Sequence, residues 1–263
     1  MIERDPALSA LTTTASRVSS CLRSANDPGV RVPHLDWTIG DVGAHLVSIS
    51  RAYTAAAEGR AAVGPDLTKG DENNARLIAS TPERSLSDLA DALDRETAAY
   101  VVANEVRERE EQVLFYGDLT ISAACAARLL LYDWLVHGWD VATTMHQTWT
   151  IDAADARLAL DAFPEVLPLL VNGDAASGFT ATYEMRMRGG RPYFLLFDDG
   201  VLTVSFDRGG RRVDCHISAA PSPYLLVSAG RGSQWRPVLT GQIVMYGRRP
   251  WLANRFKAIF GSP

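Results

Sequence analysis

The chain has 263 residues, and 26 lysines and arginines stand against 31 aspartates and glutamates, which gives a net charge of −5 at neutral pH. Hydrophobic residues make up 47% and charged residues 22% of the sequence, a composition that is typical of a folded globular protein and excludes an intrinsically disordered one. The acidic balance argues against a nucleic-acid-binding protein that works through bulk charge.

The first half of the chain is predicted to be helical, because its apolar residues recur at steps of three and four residues. The pattern predicts helices over residues 7–22, 38–57, 85–111 and 120–145. The second of them starts at Thr38, since Thr38 and Asp41 have the spacing of a capping box. Four helices of this length, joined by loops, predict a four-helix bundle over residues 1–148.

The second half of the chain has the pattern of a mixed α and β domain. A short helix over residues 152–163 is followed by alternating apolar and polar runs, with Gly-Gly and Asp-Gly turns between them. The predicted strands cover residues 179–187, 193–197, 201–206 and 213–217, and helical segments follow at residues 221–229 and 250–260. Residues 149–263 are therefore predicted to form an α+β domain with an antiparallel sheet and helices.

Nothing in the sequence indicates export or a membrane span. The N-terminal residues are charged and mixed, and the most apolar stretch, residues 129–136, contains Asp133. The three cysteines, Cys21, Cys125 and Cys215, are odd in number and far apart, which argues against a disulfide framework. We expect a cytoplasmic protein.

Two histidines and one aspartate are the candidate metal ligands. His45 shares an apolar stripe of the second helix with Val42 and Ile49, so it is expected to face the bundle interior. Asp133 precedes His137 by four residues, which places the two side chains one turn apart on one helix face. Such a group is costly to bury without partners. Both a divalent metal ion and a simple hydrogen bond between a buried histidine and a carboxylate satisfy this requirement.

Two motifs in this half resemble those of a known family. Residues 37–46 resemble the W-x-x-x-D-V-x-A-H-L segment of the DinB-like superfamily, and residues 135–140 resemble the L-V-H-G-W-D motif of the mycothiol-dependent maleylpyruvate isomerase N-terminal domain. The resemblance implies a DinB-like bundle that holds a divalent metal, with zinc as the expected ion. It also implies that His45 and His137 are ligands and that Asp133 stands where the family usually has a glutamate.

The second half resembles a sterol-carrier-protein-like domain of the kind that follows such bundles in actinobacteria. The residues that carry this resemblance are 213–218, 230–235 and 246–251. The resemblance implies a sheet with helices over an apolar groove.

Four more residues are candidates for supporting roles. Asp140, three residues after His137, is expected either to orient that imidazole, or to face solvent or cap a neighbouring backbone group. Arg231, Arg248 and Arg249 are candidates for positioning an anionic substrate, because guanidinium groups match carboxylates. Solvated loops are the alternative interpretation of these arginines.

The family resemblance implies a metal-dependent enzyme that uses mycothiol, a low-molecular-weight thiol, to isomerise a small electrophilic substrate by addition and elimination, or that transfers the thiol to such a substrate through its sulfur. The alternative is a non-catalytic carrier that binds a lipid or another apolar ligand in the C-terminal groove, and a purely structural metal is a third hypothesis. The expected partners are the substrate and the thiol, and the chain is expected to be a monomer or a homodimer.

Overall fold

A computed structural model describes residues 5–260 of the chain, except for the side chain of Lys257. The chain forms two compact units, and the division falls between Ala159 and Leu160. The first four residues of the predicted N-terminal domain and the last three of the predicted C-terminal domain lie outside the described residues.

Residues 149–159 belong to the first unit, although the sequence places the domain boundary after residue 148. Trp149 explains this difference. Its ring packs so closely on Gly138 that a Cβ atom there would lie 2.3 Å from Cζ2, and the Arg17 guanidinium lies 4.0 Å from the ring centroid. The segment after the last bundle helix is thereby fixed to that helix.

The described part of the first unit contains six helices and a short hairpin. The helices are α1 (Pro6–Ser24), α2 (Ile39–Ala57), α3 (Gly70–Ser80), α4 (Leu86–Glu105), α5 (Ala123–Thr144) and α6 (Ala153–Leu160). Helices α4 and α5 each pack against both α1 and α2, which closes a four-helix bundle. Its core includes the fully buried Leu11, Leu46, Leu93, Leu130 and Trp134. The predicted bundle is confirmed.

The sequence missed the hairpin because the predicted helix over residues 120–145 includes its second strand and residues 112–119 carry no predicted element. Strands β1 (Gln112–Leu114) and β2 (Thr120–Ser122) form an antiparallel pair. Helix α4 ends at Glu105, where the apolar stripe runs out and Val106 is largely exposed. Helix α5 begins at Ala123 because the Ser122 side chain accepts a hydrogen bond from the Cys125 amide and caps the helix. Helix α3 was also missed.

The second unit is an α+β domain around a five-stranded sheet. Its strands are β3 (Ala181–Met187), β4 (Tyr193–Asp198), β5 (Val201–Ser205), β6 (Cys215–Ala219) and β7 (Ile243–Tyr246), in the order β5-β4-β3-β6-β7. Its helical segments are α7 (Phe163–Val166), a 3₁₀ turn (Leu167–Leu170), α8 (Gly173–Ala176), α9 (Pro221–Ser228), α10 (Trp235–Leu239), a 3₁₀ turn (Pro250–Arg255) and α11 (Phe256–Phe260).

The sheet is mixed rather than purely antiparallel. Strands β3, β4 and β5 form the predicted antiparallel meander, but β6 pairs with β3 in parallel, with Tyr183 opposite Cys215. The loop after β5 carries the chain back across the sheet to the free side of β3, which a pattern of local hairpin turns does not reveal. Strand β7 and helix α10 were not predicted. The fold class itself, a helical domain followed by an α+β domain, is confirmed.

Within residues 5–260, no helix has both the length and the hydropathy that crossing a bilayer requires.

Candidate metal centre

Helix α2 positions His45 through a well-formed N-terminus. The Thr38 amide donates to Asp41 Oδ2 at 3.0 Å, and the Asp41 amide donates to Thr38 Oγ1 at 3.2 Å. This is the predicted capping box, and it starts the helix at Ile39. His45 shares the buried stripe of α2 with Val42 and Ile49, and only 3% of His45 is exposed.

Helix α5 supplies the other two candidate ligands from one face. Asp133 and His137 are one turn apart, and each offers a ligand atom to the same point as His45. The three ligand atoms, one from each residue, all lie within 4.8 Å of one another. His45 and His137 are buried and Asp133 is half-buried. The structure brings the three predicted residues together.

Trp37 packs against both imidazoles. Its ring centroid lies 4.9 Å from that of His45 and 5.6 Å from that of His137, and the two imidazoles lie 5.1 Å apart with their planes at 71°. Trp37 directly precedes the cap residue of α2, so the entry into the helix also shields the two histidines. The sequence singled out this tryptophan as part of a motif and as the residue before the helix cap that could pack on Val42, but it did not predict the contact with the two histidines.

Asp140 is hydrogen-bonded to His137. The Nδ1 atom of His137 lies 3.0 Å from Asp140 Oδ2, and only 1% of Asp140 is exposed. A carboxylate accepts the proton on Nδ1, which leaves the Nε2 lone pair available to a metal ion. The burial of Asp140 excludes the solvent-facing alternative for this residue.

His45 has the properties of a metal-binding imidazole. Burial, and then the neighbouring His137, hold the pKa of His45 well below its ordinary value of 6.5, so the ring is neutral at physiological pH. Among the described residues, no hydrogen-bond partner faces its buried Nδ1 atom. Two imidazoles and a carboxylate are a donor set that suits zinc and several other divalent ions. The residues present therefore fit a divalent metal.

The low pKa of His45 predicts a pH-dependent stability of the metal-free protein. The unfolded chain binds a proton at this histidine below about pH 6.5, whereas the folded chain does not. His45 therefore leaves the free energy of unfolding unchanged above that pH. As the pH drops below it, the free energy of unfolding falls by up to about 1.4 kcal/mol per pH unit. Urea unfolding between pH 5 and 8 in the presence of a chelator measures this slope.

The matched control for the slope is His45→Gln, which removes the titrating group and keeps a polar side chain. We expect a shallower pH dependence in this variant than in the wild type. Equal slopes for the two proteins would contradict a neutral, buried His45.

Two tyrosines near Asp133 complete the surroundings of the cluster. Burial, and then Tyr116 and Asp133, raise the pKa of Tyr53 well above its ordinary value. Tyr53 follows His45 by eight residues, or about two helical turns, so its spacing could have placed it on the same side of α2 as His45. Tyr116 follows strand β1 and had no such signal, because the hairpin was not predicted.

The three candidate arginines lie in the second unit. Arg231 donates through Nη1 to the Ala229 carbonyl oxygen at 2.7 Å. The Nη1 atoms of Arg248 and Arg249 lie 3.9 and 4.0 Å from Asp214 Oδ1. The role of these arginines in positioning a substrate stays a prediction.

Comparison with known proteins identifies relatives of the chain. The family model described as "Mycothiol maleylpyruvate isomerase N-terminal domain" matches residues 10–142, slightly more than half of the chain. No curated protein gives a match. The match ends before the second unit, whose likeness to sterol carrier proteins stays a prediction.

Solved structures share the fold over both units. The crystal structure of the mycothiol-dependent maleylpyruvate isomerase has a TM-score of 0.56 at 14% identity, and the similarity covers 92% of each chain. A histidine-to-alanine mutant of that isomerase has a TM-score of 0.56 at 13% identity over the same shares.

Proposed function

The chain belongs to the family of the mycothiol maleylpyruvate isomerase N-terminal domain, and from this premise we propose that it is a metal-dependent enzyme that uses mycothiol. Its reaction would be the isomerisation of a small electrophilic substrate such as maleylpyruvate, or an S-transfer to such a substrate. The observation that carries this proposal is the cluster of His45, Asp133 and His137, whose ligand atoms converge in the bundle.

These three residues would hold the metal, with zinc as the expected ion. Three protein ligands are the usual complement of a catalytic zinc site, whereas structural zinc sites use four. When bound, such an ion would lower the pKa of a coordinated thiol and so make a thiolate nucleophile available near neutral pH.

The protein's own groups prepare this site. Asp140 keeps a proton on Nδ1 of His137 and thereby holds the ring in one orientation. The burial of His45 keeps that imidazole neutral. The Trp37 ring packs on both imidazoles, which limits the access of water to the cluster and restricts their rotation.

Asp133 is the residue that departs from the family pattern. Its side chain is one methylene shorter than that of glutamate, yet its carboxylate still comes within 4.8 Å of the ligand atoms of both histidines. We therefore include Asp133 among the proposed metal ligands despite its shorter side chain.

The test combines elemental analysis with an activity assay on the purified wild-type protein. We expect about one divalent ion per chain and a turnover of maleylpyruvate that requires mycothiol and stops when a chelator removes the metal. The His34→Asn variant is the control for replacing a cluster histidine, because His34 is exposed, lies outside the cluster and has a positive φ that asparagine tolerates. A chain without metal and without thiol-dependent turnover would contradict the proposal, and a co-purified apolar molecule would then favour the carrier function.

A further inference from the structure

One end of the sheet in the second unit gathers three chain segments that carry arginines and exposed apolar side chains. The register places the end of β3, the start of β4, the end of β5, the end of β6 and the start of β7 at this end. The three segments are the β3–β4 turn, the residues that follow β5, and α10 with its connection to β7, at residues 188–192, 206–208 and 235–242.

Side-chain contacts join these segments across the sheet. Arg188 donates through Nη2 to the Gly241 carbonyl oxygen at 2.6 Å, which ties the β3–β4 turn to the connection between α10 and β7. On the other side of the turn, the Arg191 guanidinium lies 4.6 Å from the ring centroid of Phe206. The segments therefore form one surface along the end of the five-stranded sheet, a width of about 19 Å between the outer strands.

Three large apolar side chains on this surface are exposed. Trp235 is 72% exposed, Leu239 84% and Phe206 48%. Trp235 and Leu239 are one helical turn apart on α10, so their side chains lie on the same side of it. Phe206 follows β5 at one edge of the sheet and α10 contacts β7 at the other, so apolar groups flank the arginines on both sides. Exposed apolar groups bordered by charges are typical of an interaction surface.

The charge of this surface is positive. Arg188, Arg191 and Arg236 are exposed, and within residues 5–260 none of them is paired with a carboxylate. Asp207 is the one acidic residue in the three segments, and an arginine follows it directly. Residues 215–263 contain six lysines and arginines and no aspartate or glutamate, in a chain whose net charge is −5. Such a concentration of positive charge in an acidic protein indicates an anionic partner.

We propose that this cationic surface docks on the head groups of an anionic phospholipid membrane. The guanidinium groups contact the lipid phosphates and carboxylates, and the exposed apolar side chains enter the head-group layer. Tryptophan is favoured at the boundary between membrane and water, and an inserted leucine gains free energy by leaving water. The residues that form the surface are Arg188, Arg191, Phe206, Trp235, Arg236 and Leu239.

The same side chains separate a membrane from other partners. A second copy of the chain would bring two sets of unpaired arginines against each other, and their like charges oppose this contact. A nucleic acid would use flat rings that stack on its bases, but Leu239, the most exposed of the three apolar groups, has no ring. Aliphatic and indole side chains beside arginines are instead the combination that favours entry into a lipid head-group layer.

The experiment is co-sedimentation of the purified full chain with vesicles of phosphatidylcholine, either pure or with about one third phosphatidylserine. We expect the anionic vesicles to bind at least about tenfold more tightly than the neutral ones, with an affinity that falls as salt is added. Arg236→Gln should weaken binding to the anionic vesicles by about fivefold, the usual contribution of one arginine near such a surface. Trp235→Ala should weaken it by about tenfold, because the indole no longer leaves water.

The opposite end of the sheet supplies the matched controls. Trp251→Ala removes an indole that is 62% exposed but lies near the start of β6, where the Arg249 amide donates to the Asp214 carbonyl oxygen at 2.8 Å. Arg211→Gln removes an exposed arginine that lies 3.5 Å from Asp198, at the end of β4. Both control variants should bind the anionic vesicles like the wild type.

Several results would overturn the proposal. These are no binding to the anionic vesicles, equal affinity for both kinds of vesicle, or losses of the same size in the control variants. A dimer in lipid-free solution that Trp235→Ala dissociates would assign the surface to a second copy instead. Tighter binding of a single-stranded oligonucleotide than of the vesicles, weakened by Arg236→Gln, would assign it to nucleic acid. Melting temperatures equal to that of the wild type would show that the affinity changes are not folding defects.

Discussion

Replacement of His45 or of His137 by alanine is expected to lower the affinity of the protein for Zn²⁺ by about a hundredfold or more. Loss of a residue that merely supports a ligand costs about 10- to 100-fold in affinity, so loss of a ligand itself should cost at least as much. Competition with a chromophoric chelator measures the affinity, and elemental analysis gives the stoichiometry. Each variant should also lose thiol-dependent turnover in proportion to its lost metal.

Two further variants make this prediction specific. His45→Gln keeps a polar group of similar volume in the buried position, so a loss of metal in this variant cannot be attributed to a cavity in the core. His146→Asn removes a histidine just after α5 that is not part of the cluster, and asparagine tolerates the positive φ of that position. Wild-type affinity in the His45 and His137 variants, or an equal loss in His146→Asn, would rule out the assigned ligands.

The candidate ligands were accessible to sequence analysis because each lies on a regular helix. The spacing between Asp133 and His137 already places them on one face, and the apolar stripe of Val42 and Ile49 indicates that His45 lies on the buried face of its helix. Neither observation shows that the two helix faces meet. That step came from the resemblance of two motifs to a known family, and the geometry of the cluster agrees with it.

The packing of Tyr116 on Gly64 was not accessible in the same way. Tyr116 lies in the loop of a hairpin that was not predicted, because residues 112–119 carry no predicted element and β2 falls in the first turn of a predicted helix. Gly64, on which the Tyr116 ring packs, is a loop residue more than fifty positions away in the chain. A periodic pattern reports which face of one element is buried, but it carries no information about which loops meet.

The parallel pairing of β3 with β6 was missed for a related reason. Short turns between β3, β4 and β5 predict antiparallel neighbours, because connections of five and two residues are too short for a crossover to a parallel position. The longer segment before Cys215 allows the chain to cross the sheet, and the choice of partner is then made by packing. Tyr183, opposite Cys215, is fully buried, and its hydroxyl donates to the Leu252 carbonyl oxygen at 3.0 Å.

The second large effect is expected at Asp140, which touches no proposed metal-ligand atom. In Asp140→Ala the Nδ1 atom of His137 loses the carboxylate that lies 3.0 Å away. The imidazole is then free to rotate and to move its proton to Nε2, which removes the lone pair that a metal ion needs. We expect the affinity for Zn²⁺ to fall by about 10- to 100-fold. Chelator competition measures this change on the same scale as for the histidine variants.

Asp140→Asn separates charge from packing at this position, because the amide fills the same space in the core. An asparagine oxygen still accepts a hydrogen bond from Nδ1, but without the negative charge that strengthens it. The loss of affinity should therefore be smaller than in Asp140→Ala. The control is Asp94→Asn, which removes a carboxylate that pairs with Arg23 on the surface and should leave the affinity unchanged. If Asp140→Ala binds Zn²⁺ as tightly as the wild type, Asp140 does not orient His137.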